Sequence, residues 1–285
     1  MNDRVFSPTR RSSTRNRTSA FIFLVVAAVL SACSTPGTEP TSTQAPSLAD
    51  LFSGEMKIVD LTHALNDSNP VWGSGSESPF KYDVLAAHES GRAMMGAFRT
   101  ADHYGTHIDA PTHGGDMLPT VDELGAHDLF GPLVVVDISE ASEADPDYAL
   151  TVNDILNWES KNGSLPNRSI VIAFTGWSRK WDDHDAYLNR DENDRLRFPG
   201  FSEEAARFLI EERNILGIGI DNMSVDPGAA NGFPAHNAVN GNGKFHLENV
   251  ANVHELPESG AWLIVAPIKI TGGSGGPVRL FAILP

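Results

Sequence analysis

Cysteine is almost absent from this chain of 285 residues, with Cys33 the only one. Internal disulfides and thiolate metal sites are thereby excluded, so any bound metal has to be held by His, Asp and Glu. Basic side chains are also scarce, 21 Lys and Arg against 37 Asp and Glu, and five of the arginines lie between Arg4 and Arg17. Without residues 1–32 the chain keeps 16 basic and 36 acidic side chains, a formal charge of −20. Such a surface repels nucleic acid and anionic lipid, so no nucleic-acid partner is expected. Long apolar runs are missing too. The run Phe21–Leu30 has ten residues, whereas a membrane-spanning helix needs ~20.

What is present at the N-terminus is a processing signal rather than a fold. The basic stretch and the run Phe21–Leu30 lead into Leu30-Ser31-Ala32-Cys33, which resembles a lipobox, the cleavage and lipidation site of bacterial lipoproteins. Residues 1–32 are therefore expected to be a signal peptide and Cys33 a lipid anchor. The chain is expected to be exported and tethered to the cell envelope by that anchor alone. Ser34 gives no inner-membrane retention signal, which favours the outer membrane where the host has one. Arg10-Arg11 carries little weight as a twin-arginine signal, given the residues that follow it. Residues 33–50, rich in Ser, Thr and Pro, have little to bury and read as a tether. Residues 51–285 form the globular part, a length that suits one sizeable domain.

Within that part, strands are expected at Glu55–Thr62, Phe80–Leu85 and Ala93–Thr100. The apolar runs Leu133–Ile138 and Ser169–Phe174 carry the pattern of strands buried on both faces, and Leu216–Ile220 is expected as a further strand. Two further strands, Trp262–Ile270 and Val278–Leu284, close the chain. Helices are expected over Thr151–Asn162, capped by Thr151 or Asn153, and over Ser202–Arg213, capped by Ser202 with Glu203 and Glu204 at its positive end. Residues 66–80 and the charged stretch 182–199 read as loops. Strands alternate with helices through the middle, so the class is α/β.

The chemistry is concentrated in His103-Tyr-Gly-Thr-His107-Ile-Asp109-Ala-Pro-Thr-His113. Every potential ligand occupies an odd position, and alternate residues of an extended chain share one face. Gly105 and Pro111 disfavour a helix. One histidine alone would be a loop residue bonded to a carbonyl. Three with an aspartate inside eleven residues point to a metal. Imidazole and carboxylate donors suit Zn²⁺ or Mn²⁺, with Fe²⁺ harder to exclude in the absence of sulfur.

The run His-x-Gly-Thr-His-x-Asp-x-Pro-x-His resembles the signature of the cyclase family, which includes bacterial kynurenine formamidase and isatin hydrolase. Further landmarks spread the likeness over residues 58–284. They are Asp60-Leu-Thr-His63, Pro70-Val-Trp72, Gly131-Pro132, Thr175-Gly-Trp-Ser178, Gly219-Ile-Asp221-x-x-Ser224-x-Asp226, His236 and Glu248-Asn249. The resemblance implies a swivelling β/β/α fold, usually as a homodimer or larger assembly. It implies that His103, His107 and Asp109 bind metal, and that His236 and Glu248 add ligands where two ions are present. His113 would be the general acid/base and Trp72 would touch substrate. The expected activity is hydrolysis of an amide-type bond, in an aryl formamide, a cyclic amide or a lactone-like small molecule, by a metal-activated water. The alternative is a lipoprotein that binds metal or a small ligand without turnover, against which the spare base His113 speaks. Ala173-Phe174 departs from the family, where Arg often precedes the Thr-Gly pair, and Asn222 stands where Thr is common.

The remaining candidates are weaker. His63 is as readily a structural histidine as a group supporting the site. His88, His127, His184, His246 and His254 read as surface or structural. His246 would point the same way as Glu248 in an extended chain, but it is left out because the family places no ligand there. Asp221 would orient a ligand histidine or cap a strand end, and Ser224 would serve a proton path or a turn. The glycines of 272–276 lack the Lys and helix of a phosphate loop and read as a turn between strands.

Overall fold

The computed structural model describes residues 53–285, apart from Glu55 and residues 73–76. The expected signal peptide, lipidated Cys33 and tether lie outside these residues. Its strands are β1 (Ile58–Asp60), β2 (Lys81–Ala86), β3 (Met95–Arg99), β4 (His107–Asp109), β5 (Phe130–Asp137), β6 (Ala149–Leu150), β7 (Ile170–Phe174), β8 (Gly200–Phe201), β9 (Gly217–Ile220), β10 (Phe245–Glu248), β11 (Trp262–Pro267) and β12 (Gly275–Ile283). Its α-helices are α1 (Ser139–Ala144), α2 (Val152–Asn162), α3 (His184–Leu188), α4 (Glu203–Glu212) and α5 (Pro234–Asn240). Among the described residues no helix is long and apolar enough to cross a membrane.

Seven strands close into a ring in the order β12-β11-β5-β7-β9-β10-β4, with β4 pairing back onto β12. The neighbours β5, β7, β9 and β10 run parallel, and the remaining pairs of the ring are antiparallel. β1 shares an edge of β12 with β4, paired at 281–283 where β4 pairs at 275–277. The fold is thus α/β, as the alternation of strands and helices predicted.

Side-chain alternation along the parallel strands makes two cores. Leu133 and Val135 of β5, with Ile170 and Ile172 of β7, turn into the ring and meet Ile108, Leu247, Leu263 and Leu280. Val134, Val136, Val171 and Ala173 turn outward, against Ile155 and Trp158 of α2, Leu209 of α4 and Val239 of α5. The period of two explains why these runs are apolar at every position. α2 starts on Thr151, whose hydroxyl accepts from Asp154 N while the Asp154 carboxylate accepts from Thr151 N, a capping box. Ser202 caps α4 by accepting from Ala205 N at 3.1 Å.

Two expectations need correction. The stretch 182–199 is not loop throughout. It contains α3 and buries Tyr187, Leu196 and Phe198 against Trp177 and Met223. Its charged residues are spaced so that these apolar side chains share one inward side. The segment 103–113 is not continuously extended either. Only His107–Asp109 form a strand, because Gly105 takes a left-handed φ of +67° and Pro111 opens a 3-10 turn over Pro111–Gly114. That turn lies against α5, where a Cβ on Gly114 would come within 2.5 Å of Asn240 Cβ.

Candidate metal centre

β4 lies between β10 and β12, and its register places His107 opposite Glu248 and Asp109 opposite His246. Ile108 and Leu247 fill the ring, so these four polar side chains emerge together on the other face, all buried. The backbone beside them is tied down. Thr106 Oγ1 donates to Asn249 O at 2.7 Å, and Asn249 Nδ2 donates to Gly105 O at 2.8 Å. His107 Nδ1–H donates to the same Gly105 carbonyl at 2.9 Å, which leaves Nε2 as a lone-pair donor facing the carboxylates.

Asp109 divides the cluster through its two oxygens. Oδ1 lies 2.7 Å from His103 Nδ1 and 3.1 Å from His107 Nε2. Oδ2 lies 3.0 Å from His246 Nε2, 3.5 Å from His113 Nε2 and 3.8 Å from His236 Nε2. Glu248 divides likewise, Oε2 facing His107 at 3.4 Å and Oε1 facing His236 at 3.4 Å and His246 at 3.5 Å. His236 reaches the cluster from the first turn of α5. Asp226 fixes it there, accepting from Ala235 N at 2.6 Å, His236 N at 3.2 Å and His236 Nδ1 at 2.6 Å. His103 Nε2 meets Ser274 Oγ at 2.9 Å, and that hydroxyl donates to Asp102 at 2.8 Å.

The charge balance asks for a cation. Among the described residues no lysine or arginine pairs with Asp109 or Glu248, whose ionic partners are all histidines. Burial would raise the Glu248 carboxyl, but the His107 and His246 rings facing it outweigh that and bring it down to about 2. Burial pulls His246 down, yet the Asp109 and Glu248 carboxylates carry it up to about 9. His107 Nε2 and both ring nitrogens of His246 are buried without a hydrogen-bond partner. Orphaned imidazole nitrogens aimed at paired carboxylates are the donor set of a divalent ion, and the residues fit one.

Comparisons with known proteins agree with this geometry. The family model described as "Putative cyclase" matches residues 59–227. The chain is 34% identical to an isatin hydrolase from Roseibium aggregatum over 252 residues, 83% of this chain and 95% of that protein. It is 26% identical to a kynurenine formamidase from Salinibacter ruber, over 79% of this chain and 96% of that protein. Among solved structures it resembles isatin hydrolase A from Labrenzia aggregata bound to benzyl benzoate. The TM-score is 0.77 and the identity 37%, covering 83% of this chain and 97% of that one.

The chain belongs to the cyclase family.

The residues singled out on family grounds meet at one place. His103, His107, Asp109, His113, His236 and Glu248 all line a cavity of about 380 Å³. His113 sits at its side with 36% of its side chain exposed, its ring 4.2 Å from that of His103. Burial and the neighbouring histidines hold His113 below its ordinary pKa, against the pull of Asp109. Trp72 is 50% exposed at the mouth, edge-on to Phe198 at 6.1 Å and tilted against Phe233 at 6.5 Å.

Two residues of this cyclase-family site escaped the sequence. His246 is fully buried beside Asp109, and its alternation with Glu248 was the only signal for it. Asp226 stood among the landmarks, but nothing in the pattern tied it to His236, ten residues on. Asp221 touches no ligand histidine and instead accepts from Thr175 N at 2.9 Å and Thr175 Oγ1 at 2.5 Å, holding the turn into Trp177. Asn222 is suited to its place, Nδ2 donating to Pro199 O at 2.7 Å and Oδ1 accepting from Ser224 N at 3.1 Å. His63 stacks on Trp181 at 3.8 Å, outside the cluster.

Proposed function

We propose that the chain opens the amide bond of a small cyclic or N-formyl amide. His103, His107 and Asp109 would hold a divalent ion, Zn²⁺ or Mn²⁺, His236 and Glu248 would serve a second, and His113 would move the proton. At the level of class the chain is a metal-dependent hydrolase of carbon–nitrogen bonds other than peptide bonds. The observation that supports the finer reading is the convergence of four histidines and two carboxylates around one cavity, with His113 the most exposed of the six.

A bound divalent ion would lower the pKa of a water towards ~7 and polarise the amide carbonyl. The remaining work falls to the chain. Trp72 and Phe233 offer aromatic faces to a flat ring, and burial of the floor keeps bulk water from competing. His113 Nε2 accepts a proton from the attacking water and returns it to the nitrogen as the carbon–nitrogen bond breaks, so acid and amine appear with no net change in protons. A ring amide then yields one product carrying both groups, and a formamide yields formate and an amine.

Cyclic substrates are favoured over acyclic ones, because the likeness is greater to isatin hydrolase than to kynurenine formamidase. The test is turnover by the metal-loaded full-length chain on isatin and N-formylkynurenine, with and without a chelator. Chelator-sensitive opening of isatin, at higher kcat/KM than N-formylkynurenine, is the expected result. Metal bound with neither compound hydrolysed would leave a binding lipoprotein as the better account.

Export, anchorage through Cys33 and self-association belong to the same proposal. Self-association is supported by the two-stranded ribbon β2–β3, where Tyr82 pairs with Phe98 and both are about half exposed with Val84.

A further inference from the structure

The family resemblance offers His236 and Glu248 as further ligands and assigns nothing to His246. We propose that His246 completes a second, closed metal site in which Asp109 Oδ2, His236 Nε2, His246 Nε2 and Glu248 Oε1 hold a Zn²⁺ ion with protein groups alone. This builds on the proposed metal-dependent hydrolase and gives its two ions different duties.

Donor spacing carries the argument. Four of the edges joining these atoms measure 3.0, 3.4, 3.5 and 3.8 Å. A tetrahedral Zn²⁺ with bonds of about 2.0–2.1 Å separates its donors by about 3.3–3.4 Å. The four residues are all buried, and their ligand atoms lie within 4.8 Å of one another.

Orientation points the same way. Asp226 takes the Nδ1 proton of His236 at 2.6 Å, so its Nε2 lone pair faces the cluster. His246 is fully buried and neither nitrogen has a hydrogen-bond partner, although Nε2 is 3.0 Å from a carboxylate oxygen. A ring that approaches a carboxylate so closely without the angle of a hydrogen bond is directed at a shared point rather than at the oxygen. Glu248 Oε1 is steadied by Val225 N at 3.0 Å.

The site on the other oxygen of Asp109 is different in kind. Three residues of the closed set border the same cavity, but all four are buried and His246 is sealed from solvent, whereas His103 keeps 26% of its side chain exposed. Metal sites with all positions filled by protein are structural, and those with an open position are catalytic. The closed ion would therefore lock Asp109 and neutralise the buried carboxylates, while the open one meets substrate and exchanges readily.

The test is metal content of the full-length chain after dialysis against a chelator, read by elemental analysis with circular dichroism as the control for folding. Wild type should keep one zinc per chain, and His246→Gln should keep none while retaining the native spectrum. A His246→Gln variant that folds and still holds its zinc overturns the proposal. Should the variant fail to fold, Co²⁺ loaded into the chelator-resistant site of the wild type decides. Intense visible absorption from a four-coordinate ion supports the closed site, and the weak absorption of a six-coordinate ion overturns it. Turnover is measured separately. One exchangeable ion with full hydrolysis sinks the closed site alone, and a retained zinc without hydrolysis sinks the activity alone.

Discussion

At the scale of single residues, His113 stands apart from the other histidines of the cluster. It meets the carboxylates only at 3.5 Å and keeps 36% of its side chain exposed. His113→Ala should leave metal content unchanged and lower kcat by roughly 10²–10⁴-fold, the range of a lost general acid/base. Parallel metal analysis and initial rates check this, and an unaltered kcat would remove His113 from the mechanism. His63 makes a different kind of statement. Burial brings its pKa down from 6.5 to about 4, with Asp182 opposing. The unfolded chain therefore takes up a proton below pH 6.5 that the folded chain refuses until about pH 4. Stability from this group is whole above pH 6.5 and is lost as pH falls to about 4. The loss is about 3 kcal/mol, from 1.36 kcal/mol per unit of pKa. His63→Phe keeps the stack on Trp181 and removes the titration. Denaturant unfolding at pH 7 and pH 4.5 should show a smaller acid loss in the variant than in the wild type. Equal losses would show that His63 does not couple folding to pH.

At the scale of elements, the site depends on the short strands that close the ring. Ile108 is fully buried between Leu247 and the inner core, on the strand that carries His107 and Asp109. Ile108→Ala should cost about 2–5 kcal/mol of stability through the cavity it leaves. It should also weaken metal binding, because the flanking ligands lose their register against β10. Chemical denaturation and metal titration together check this, and a stable variant with loosened metal would place the strain in β4 alone. These strands also mark what the sequence could convey. The runs around Leu133 and Ile170 were legible as buried strands because their apolar residues are nearly continuous, that at Leu216 was legible as a strand, and they became β5, β7 and β9. Thr151 and Ser202 announced α2 and α4 through cap chemistry. β4, with three residues, is too short for any period to register. Its pairing with β10, some 140 positions away, is a tertiary fact. The six family-matched site residues were legible as a motif, whereas His246 gained meaning only once β10 lay opposite Asp109. The helix inside 182–199 was hidden by charges that face solvent while Tyr187 and Phe198 turn inward.

At the scale of the whole molecule, charge and attachment work together. A formal −20 outside residues 1–32 gives the surface no attraction for anionic lipid, so the proposed residence at a membrane would rest on the proposed anchor at Cys33. It would also hasten departure of a carboxylate product of the proposed reaction, which the field of the protein repels. One acyl chain binds a bilayer only marginally and stable anchoring needs more than one, which a fully lipidated Cys33 would satisfy. The full chain made in a host that processes lipoproteins should enter the detergent phase on phase separation and the membrane pellet on fractionation. Cys33→Ser should move to the aqueous phase and the soluble fraction with its kcat unchanged, because Cys33 lies 20 positions before Ser53, the first described residue. A Cys33→Ser protein that stays in the pellet would shift the anchor to the uncleaved run Phe21–Leu30. A wild type in the aqueous phase would discard anchoring altogether, and the acidic surface would then mark a freely diffusing enzyme.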